Sequence, residues 1–233
     1  MNRMELPEGQ SHVLGGTGPV AQQLRSELLR AIVSLEMKPG TRISEAELAE
    51  RYGVSRQPVR EAVIWLGQTG LVKTLPQRGT VVVQISVRDM LDARFVREAI
   101  EVAVARRASI SISPEVRHRL DAIVGQQEVA VANNDRQTFF RFDEAFHSAL
   151  CQGAGSDTAW DSIKNVKVHM DRVCSLTLKS SASMAHLVTE HRAILAAVDA
   201  QDPDAAAQAM SAHLHGILSS LPQIEAEFPE YFD

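Results

Sequence analysis

Cysteine is scarce in this sequence. Cys151 and Cys174 are the two cysteines among 233 residues, too few for a disulfide framework and suited to a reduced cytosolic interior. Aromatic residues make up 5%, which argues against a β-sandwich and suits a helical protein rich in Ala, Leu, Val and Arg. Apolar runs are short, such as Val81-Val82-Val83, against the ~18–20 residues of a membrane span. Met1 to Gln10 mixes charge with Pro and Gly and has no apolar core of a secretory leader. A cytoplasmic protein with no membrane partner is therefore expected. Internal repeats and low-complexity segments are missing as well. What is present, 45% hydrophobic and 23% charged residues, excludes wholesale disorder.

A basic excess is also lacking, since the net charge is −5. Its distribution is more informative. Residues 1–84 carry ten Lys and Arg against eight Asp and Glu, and residues 85–233 carry fourteen against twenty-one. Within 55–84, Arg56, Arg60, Lys73 and Arg78 face Glu61 alone. A basic N-terminal part joined to an acidic remainder hints at a nucleic-acid-binding module, although a solvated surface has the same composition.

The spacing of apolar residues predicts a helix over Pro19–Glu36, ended by Pro39-Gly40. Ser44 and Glu47 form a capping box that opens a short helix ending at Gly53. A third helix is predicted from Gln57 to Gln68, with Pro58 in its first turn. Leu71–Leu75 and Thr80–Ile85 read as strands joined by Pro76-Gln77-Arg78-Gly79. Beyond Ser86 the pattern is helical: Val87–Ser109, Ser113 to Asn133, Asp135–Cys151, Asp157 to Lys179, Met184–Ala200 and Asp202–Leu221. The tail from Pro222 reads as irregular. The expected fold is mainly α, an N-terminal winged helix-turn-helix over 1–84 followed by an antiparallel six-helix bundle over 87–228.

The second and third helices, separated by Tyr52-Gly53-Val54, have the order of a helix-turn-helix. Arg56 and Arg60 share one face of the third helix, while Val59, Val63 and Leu66 form its inward stripe. Ser55 is placed to bond a phosphate at a helix N-terminus. These features fit a DNA-reading helix, and they also fit a small helical domain with arginines in solvent. The run from Leu48 to Ala62, containing Gly53-Val54-Ser55-Arg56-Gln57-Pro58-Val59-Arg60-Glu61, resembles the GntR family of bacterial winged-helix transcription regulators. That resemblance implies operator contact by Ser55, Arg56, Gln57 and Arg60, with Arg78 and Gly79 at the wing tip. The chain departs from the family pattern at Ala46, where a basic residue is common.

In the bundle, Asp143 and His147 lie four apart on an inward helix face. His191 follows the apolar phase of Leu187, Val188, Ile194, Leu195 and Val198, and His213 that of Ala209, Met210 and Ile217. A lone inward histidine is more often a hydrogen-bonded core residue. Three nitrogens and one oxygen in consistent phase are also a set for zinc, nickel or manganese. His186, beside Ser183 and Glu190, reads as exposed. The segments Phe142–His147, Glu190–Ile194 and Met210–Leu214 are similar to the all-helical ligand-binding (FCD) domain of FadR-type GntR regulators, in its six-helix variant. The resemblance implies a divalent ion, zinc foremost, on Asp143, His147, His191 and His213. Arg97-Glu98-Ala99-Ile100-Glu101 resembles the first helix of that domain, which implies an inward Arg97 binding an effector carboxylate. Arg172 is a second candidate for that role.

The resulting expectation is a ligand-responsive regulator, not an enzyme, that binds a palindromic operator as a homodimer and takes a small carboxylate metabolite as effector. Two alternatives stand beside it: a metal-dependent hydrolase with an accessory DNA-binding domain, with Glu144 or Glu190 near the ligands, and a constitutive DNA-binding protein with a structural metal.

Overall fold

The computed structural model describes residues 18–77, 79–178 and 180–233. They fall into two compact units, one reaching Asp89 and including Glu225–Asp233, the other Met90–Ile224. The end of the chain thus belongs with the first unit.

The first unit contains α1 (Val20–Val33), β1 (Arg42–Ile43), α2 (Glu45–Tyr52), α3 (Arg56–Gln68), β2 (Val72–Leu75) and β3 (Gly79–Val82). Ser44 caps α2 by accepting the Glu47 N–H at 3.3 Å, which satisfies a donor the helix leaves orphaned. Gly53 ends α2 with φ of 62°, a left-handed conformation that glycine adopts without a Cβ penalty. The chain can therefore turn directly into α3. Leu24, Leu28, Ile32, Leu48, Val59, Ala62 and Leu66 form the core, each at most 1% exposed. The three strands are ordered β1-β3-β2 and are antiparallel, with Val72 opposite Val82 and Leu75 opposite Gly79. The two-residue β1, paired through Arg42 with Val81, is an element that the sequence pattern does not announce.

The second unit is helical: α4 (Val87–Ser111), α5 (Pro114–Ala132), α6 (Arg136–Gly153), α7 (Asp157–Val166), α8 (Val168–Thr177), α9 (Ser181–Asp199) and α10 (Pro203–Glu227). Ser113 and Asp135 cap α5 and α6 through the N–H groups of Val116 and Thr138. Phe139, Phe146, Val124, Leu150, Ile194 and Met210 lie in one buried cluster. The fold class is as expected, with two local differences. The helix expected from Asp157 is divided at Lys167, although Ile163 O still accepts from Lys167 N and Lys167 O from Asp171 N; its expected end, Lys179, lies outside the described residues. And α10 passes through Pro222 to Glu227. Proline forfeits one helical hydrogen bond, but Leu221 and Ile224 on either side of it are buried, and that burial offsets the loss. Among the described residues no helix is long and apolar enough to cross a membrane.

The tail after α10 is ordered against the segment that follows β3. The Ile85 N–H donates to Tyr231 O at 2.7 Å, Asp233 N to Ile85 O at 3.3 Å, and Gln84 Nε2 to Phe232 O at 2.8 Å. Ile85 and Phe232 pair in parallel and are both buried.

Candidate metal centre and nucleic-acid interface

On α3, Ser55, Arg56, Gln57 and Arg60 are exposed, while Val59, Ala62, Val63 and Leu66 are buried. The division follows from the helical period: the apolar stripe seats the helix and leaves the arginines on the opposite face. Ser55 is the N-cap with extended backbone, and its side chain makes no cap hydrogen bond. Gln57 Nε2 donates to Glu61 Oε1 at 3.1 Å. A groove of about 370 Å³, lined in part by Arg60, Ile64, Thr74 and Thr80, runs between α3 and the hairpin. Gly79 opens β3 with φ of 75°, and a Cβ there would lie 3.4 Å from Arg42 Nε. Arg78, the other expected wing residue, lies outside the described residues.

The second cluster forms where α6, α9 and α10 converge. His147, His191 and His213 are buried, and one ring nitrogen from each lies within 4.8 Å of the others. His147 Nε2 and His213 Nε2 are 3.3 Å apart. Asp143, one turn before His147, is half-buried, with Oδ1 3.6 Å from His191 Nε2.

Each histidine has its other nitrogen against an oxygen. His191 Nδ1 is 2.9 Å from Gln127 Oε1, and His213 Nδ1 is 2.9 Å from Glu190 Oε2. His147 Nδ1 contacts the Glu101 carboxylate. Carboxylate and amide oxygens only accept, so the Nδ1 of His191 and of His213 donates to its partner, and a proton on His147 Nδ1 suits its contact with Glu101. The three Nε2 lone pairs then share one small space. Burial, together with the neighbouring His213 and His147, pushes the His191 pKa well below its ordinary value, which keeps that ring neutral. Two Nε2 lone pairs 3.3 Å apart repel unless a proton or a metal ion lies between them. Three imidazoles, each with an oxygen on its far side, and the Asp143 carboxylate near His191 make the donor arrangement of a divalent transition-metal site. The residues present therefore fit such an ion.

Arg97 is buried on α4, and its Nε donates to Glu101 Oε1 at 2.6 Å. Arg172 on α8 is fully buried, and desolvation lowers its pKa to about 10. Glu144 is exposed, and Glu190 is engaged by His213. His186 is exposed, as its neighbours suggested, and reaches Glu190 Oε1 at 3.3 Å. Sequence reasoning missed Glu101, Gln127 and Glu190 as orienting acceptors. Glu190 adjoins His191 and Glu101 follows Arg97 by one turn, whereas Gln127 carried no signal.

Comparison with known proteins joins the two clusters in one family. Residues 20–82 match the bacterial regulatory proteins of the gntR family, and residues 92–216 match the FCD domain. The HTH-type transcriptional repressor RspR of Escherichia coli (strain K12) is 40% identical over 219 residues, 94% of this chain and 96% of that protein. An HTH-type transcriptional regulator in an unstable DNA locus of Streptomyces ambofaciens is 37% identical, over 88% of this chain and 86% of its own. Among solved structures, E. coli McbR/YncC has a TM-score of 0.78 at 19% identity, covering 89% of this chain and 99% of that one; it shows the shared fold. With an exposed recognition-type helix in one unit and a helical second unit that matches the FCD domain, the chain belongs to the GntR family of bacterial transcriptional regulators, FCD type.

Proposed function

We propose that this regulator is metal-assisted and ligand-responsive, that it binds a palindromic operator as a homodimer, and that it acts as a repressor, the activity RspR is named for. Residues 1–84 would contact DNA through Ser55, Arg56, Gln57, Arg60, Arg78 and Gly79. Residues 87–228 would hold a divalent ion, zinc foremost with nickel or manganese as alternatives, on Asp143, His147, His191 and His213. A small carboxylate metabolite would bind there with help from Arg97 and Arg172, whose guanidinium groups form charge-assisted hydrogen bonds with carboxylates.

The observation that carries this reading is the convergence of three Nε2 atoms whose Nδ1 partners are all oxygen acceptors. When bound, the ion supplies a Lewis-acid contact for an anionic effector. The chain's own residues do the rest: Glu101, Gln127 and Glu190 orient the rings, and Phe146, stacked on His191 with centroids 4.0 Å apart, shields that ring from water. The two carboxylates nearest the ligands in sequence support a sensor over a hydrolase, since Glu144 is exposed and Glu190 is held by His213.

The dimer reading draws support from α4. Its inward face carries Arg97 and Glu101, while Leu91, Phe95 and Ile110 are 40%, 68% and 70% exposed. An outward apolar stripe on a helix is suited to a second copy of the chain. Elemental analysis of the purified protein tests the central claim: close to one divalent ion per chain is expected, and a metal-free protein that still responds to a carboxylate overturns it.

A further inference from the structure

Glu101 has two partners. Its Oε1 accepts from Arg97 Nε at 2.6 Å, and its Oε2 meets His147 Nδ1. Side-chain exposure is 2% for Glu101, 8% for Arg97 and 3% for His147. A carboxylate taken this far from water is tolerated only when both oxygens are engaged. Arg97 also lies in the field of Asp171 and Asp143. A single buried charge on α4 is thus shared between the candidate anion-binding arginine and a candidate metal ligand on α6.

We infer that Glu101 is a positioning residue that couples the two parts of the site, so that an anion captured by Arg97 tightens the hold on the metal. The inference rests on reading the three imidazoles as a metal centre. Its sign follows from the charges. A carboxylate accepting the Nδ1–H of a ligand imidazole raises the basicity of Nε2. Arg97 draws on the same carboxylate and weakens that effect. An anion at Arg97 partly neutralises the guanidinium and returns Glu101 to His147. Metal and anion then bind with positive cooperativity, and reciprocity requires that the metal raise anion affinity by the same factor.

The test uses the full-length protein and zinc alone, titrated against a chromophoric chelator. Glu101→Gln should weaken zinc binding by roughly ten- to hundredfold, the range found for outer partners of metal-bound histidine. Arg97→Met, which removes the competing charge, should tighten zinc binding in the otherwise unaltered protein. In the Glu101→Gln background that gain should shrink by about tenfold, since contacting residues in one network are non-additive. Unchanged zinc affinity in Glu101→Gln, or effects of the two substitutions that simply add, overturns the coupling while leaving the metal centre in place. Zinc that fails to bind the unaltered protein overturns the metal centre and the coupling together. Nitrogen NMR of the metal-free protein keeps the question open to refutation if the buried substitution prevents folding. His147 should carry its proton on Nδ1, and a proton on Nε2 overturns the role given to Glu101.

Discussion

His147 on α6 and His213 on α10 bring their Nε2 atoms to 3.3 Å of each other across 66 residues of sequence. With the Glu101 and Glu190 carboxylates against the Nδ1 sides, neither ring can relieve the contact by turning over without losing a polar contact inside the protein. Leaving a buried polar group unpaired costs about 1–3 kcal/mol, so the geometry persists and keeps both Nε2 atoms facing one small space.

That geometry sets the first prediction. His147→Ala and His191→Ala should each lose the bound divalent ion, and His186→Ala should keep it, because His186 is exposed and reaches only Glu190 among the contacts seen. Metal-to-protein ratios from elemental analysis decide the matter. Full metal content in both ligand variants would contradict the assignment, and loss in His186→Ala would point to a different face of α9.

Operator binding gives the second. Arg56→Ala and Arg60→Ala should each weaken affinity for the operator by about 1–3 kcal/mol if the side chain reads a base edge. Both side chains are exposed on a helix seated by Val59 and Leu66, so the fold should survive the change. The check is a binding titration at fixed salt on operator and unrelated DNA. Equal losses on both DNAs would make these residues phosphate contacts.

The cysteines give the third. Burial, with help from Glu101, pushes the Cys151 thiol up to about 12, and burial with help from Asp171 does the same for Cys174. At pH 8 about one thiol in ten thousand is then ionised, and the thiolate is the reactive form. Native protein should react with a disulfide reagent far more slowly than denatured protein, with two thiols appearing on unfolding. Rapid native labelling of either cysteine would show that its surroundings open to solvent.

A fourth prediction concerns the tail. Phe232 is 5% exposed and pairs with Ile85, so Phe232→Ala should destabilise the first unit by about 3 kcal/mol, the lower end for a buried aromatic truncated to Ala. Amide exchange at Ile85, whose N–H donates to Tyr231 O, should quicken in step. Unchanged melting and unchanged exchange at Ile85 would mean that the tail adds nothing to the unit.

What the sequence determined by itself was local or periodic. The Ser44–Glu47 cap, the turn at Gly53 and the Ser113-Pro114 helix start involve atoms within one turn of each other. The inward phase of His147, His191 and His213 follows from a 3.6-residue period that the surrounding apolar residues also obey. Tertiary structure decided the pairings whose members lie far apart in the chain. Gln127 meets His191 over 64 residues, Gln84 meets Phe232 over 148, and the short β1 exists only because Val81 and Thr80 of β3 lie alongside it. Pro222 shows the same division from the other side. A local rule ends the helix there, but the rule weighs one lost hydrogen bond, whereas the folded chain also weighs the burial of Leu221 and Ile224, a gain that exists only once the other helices are in place.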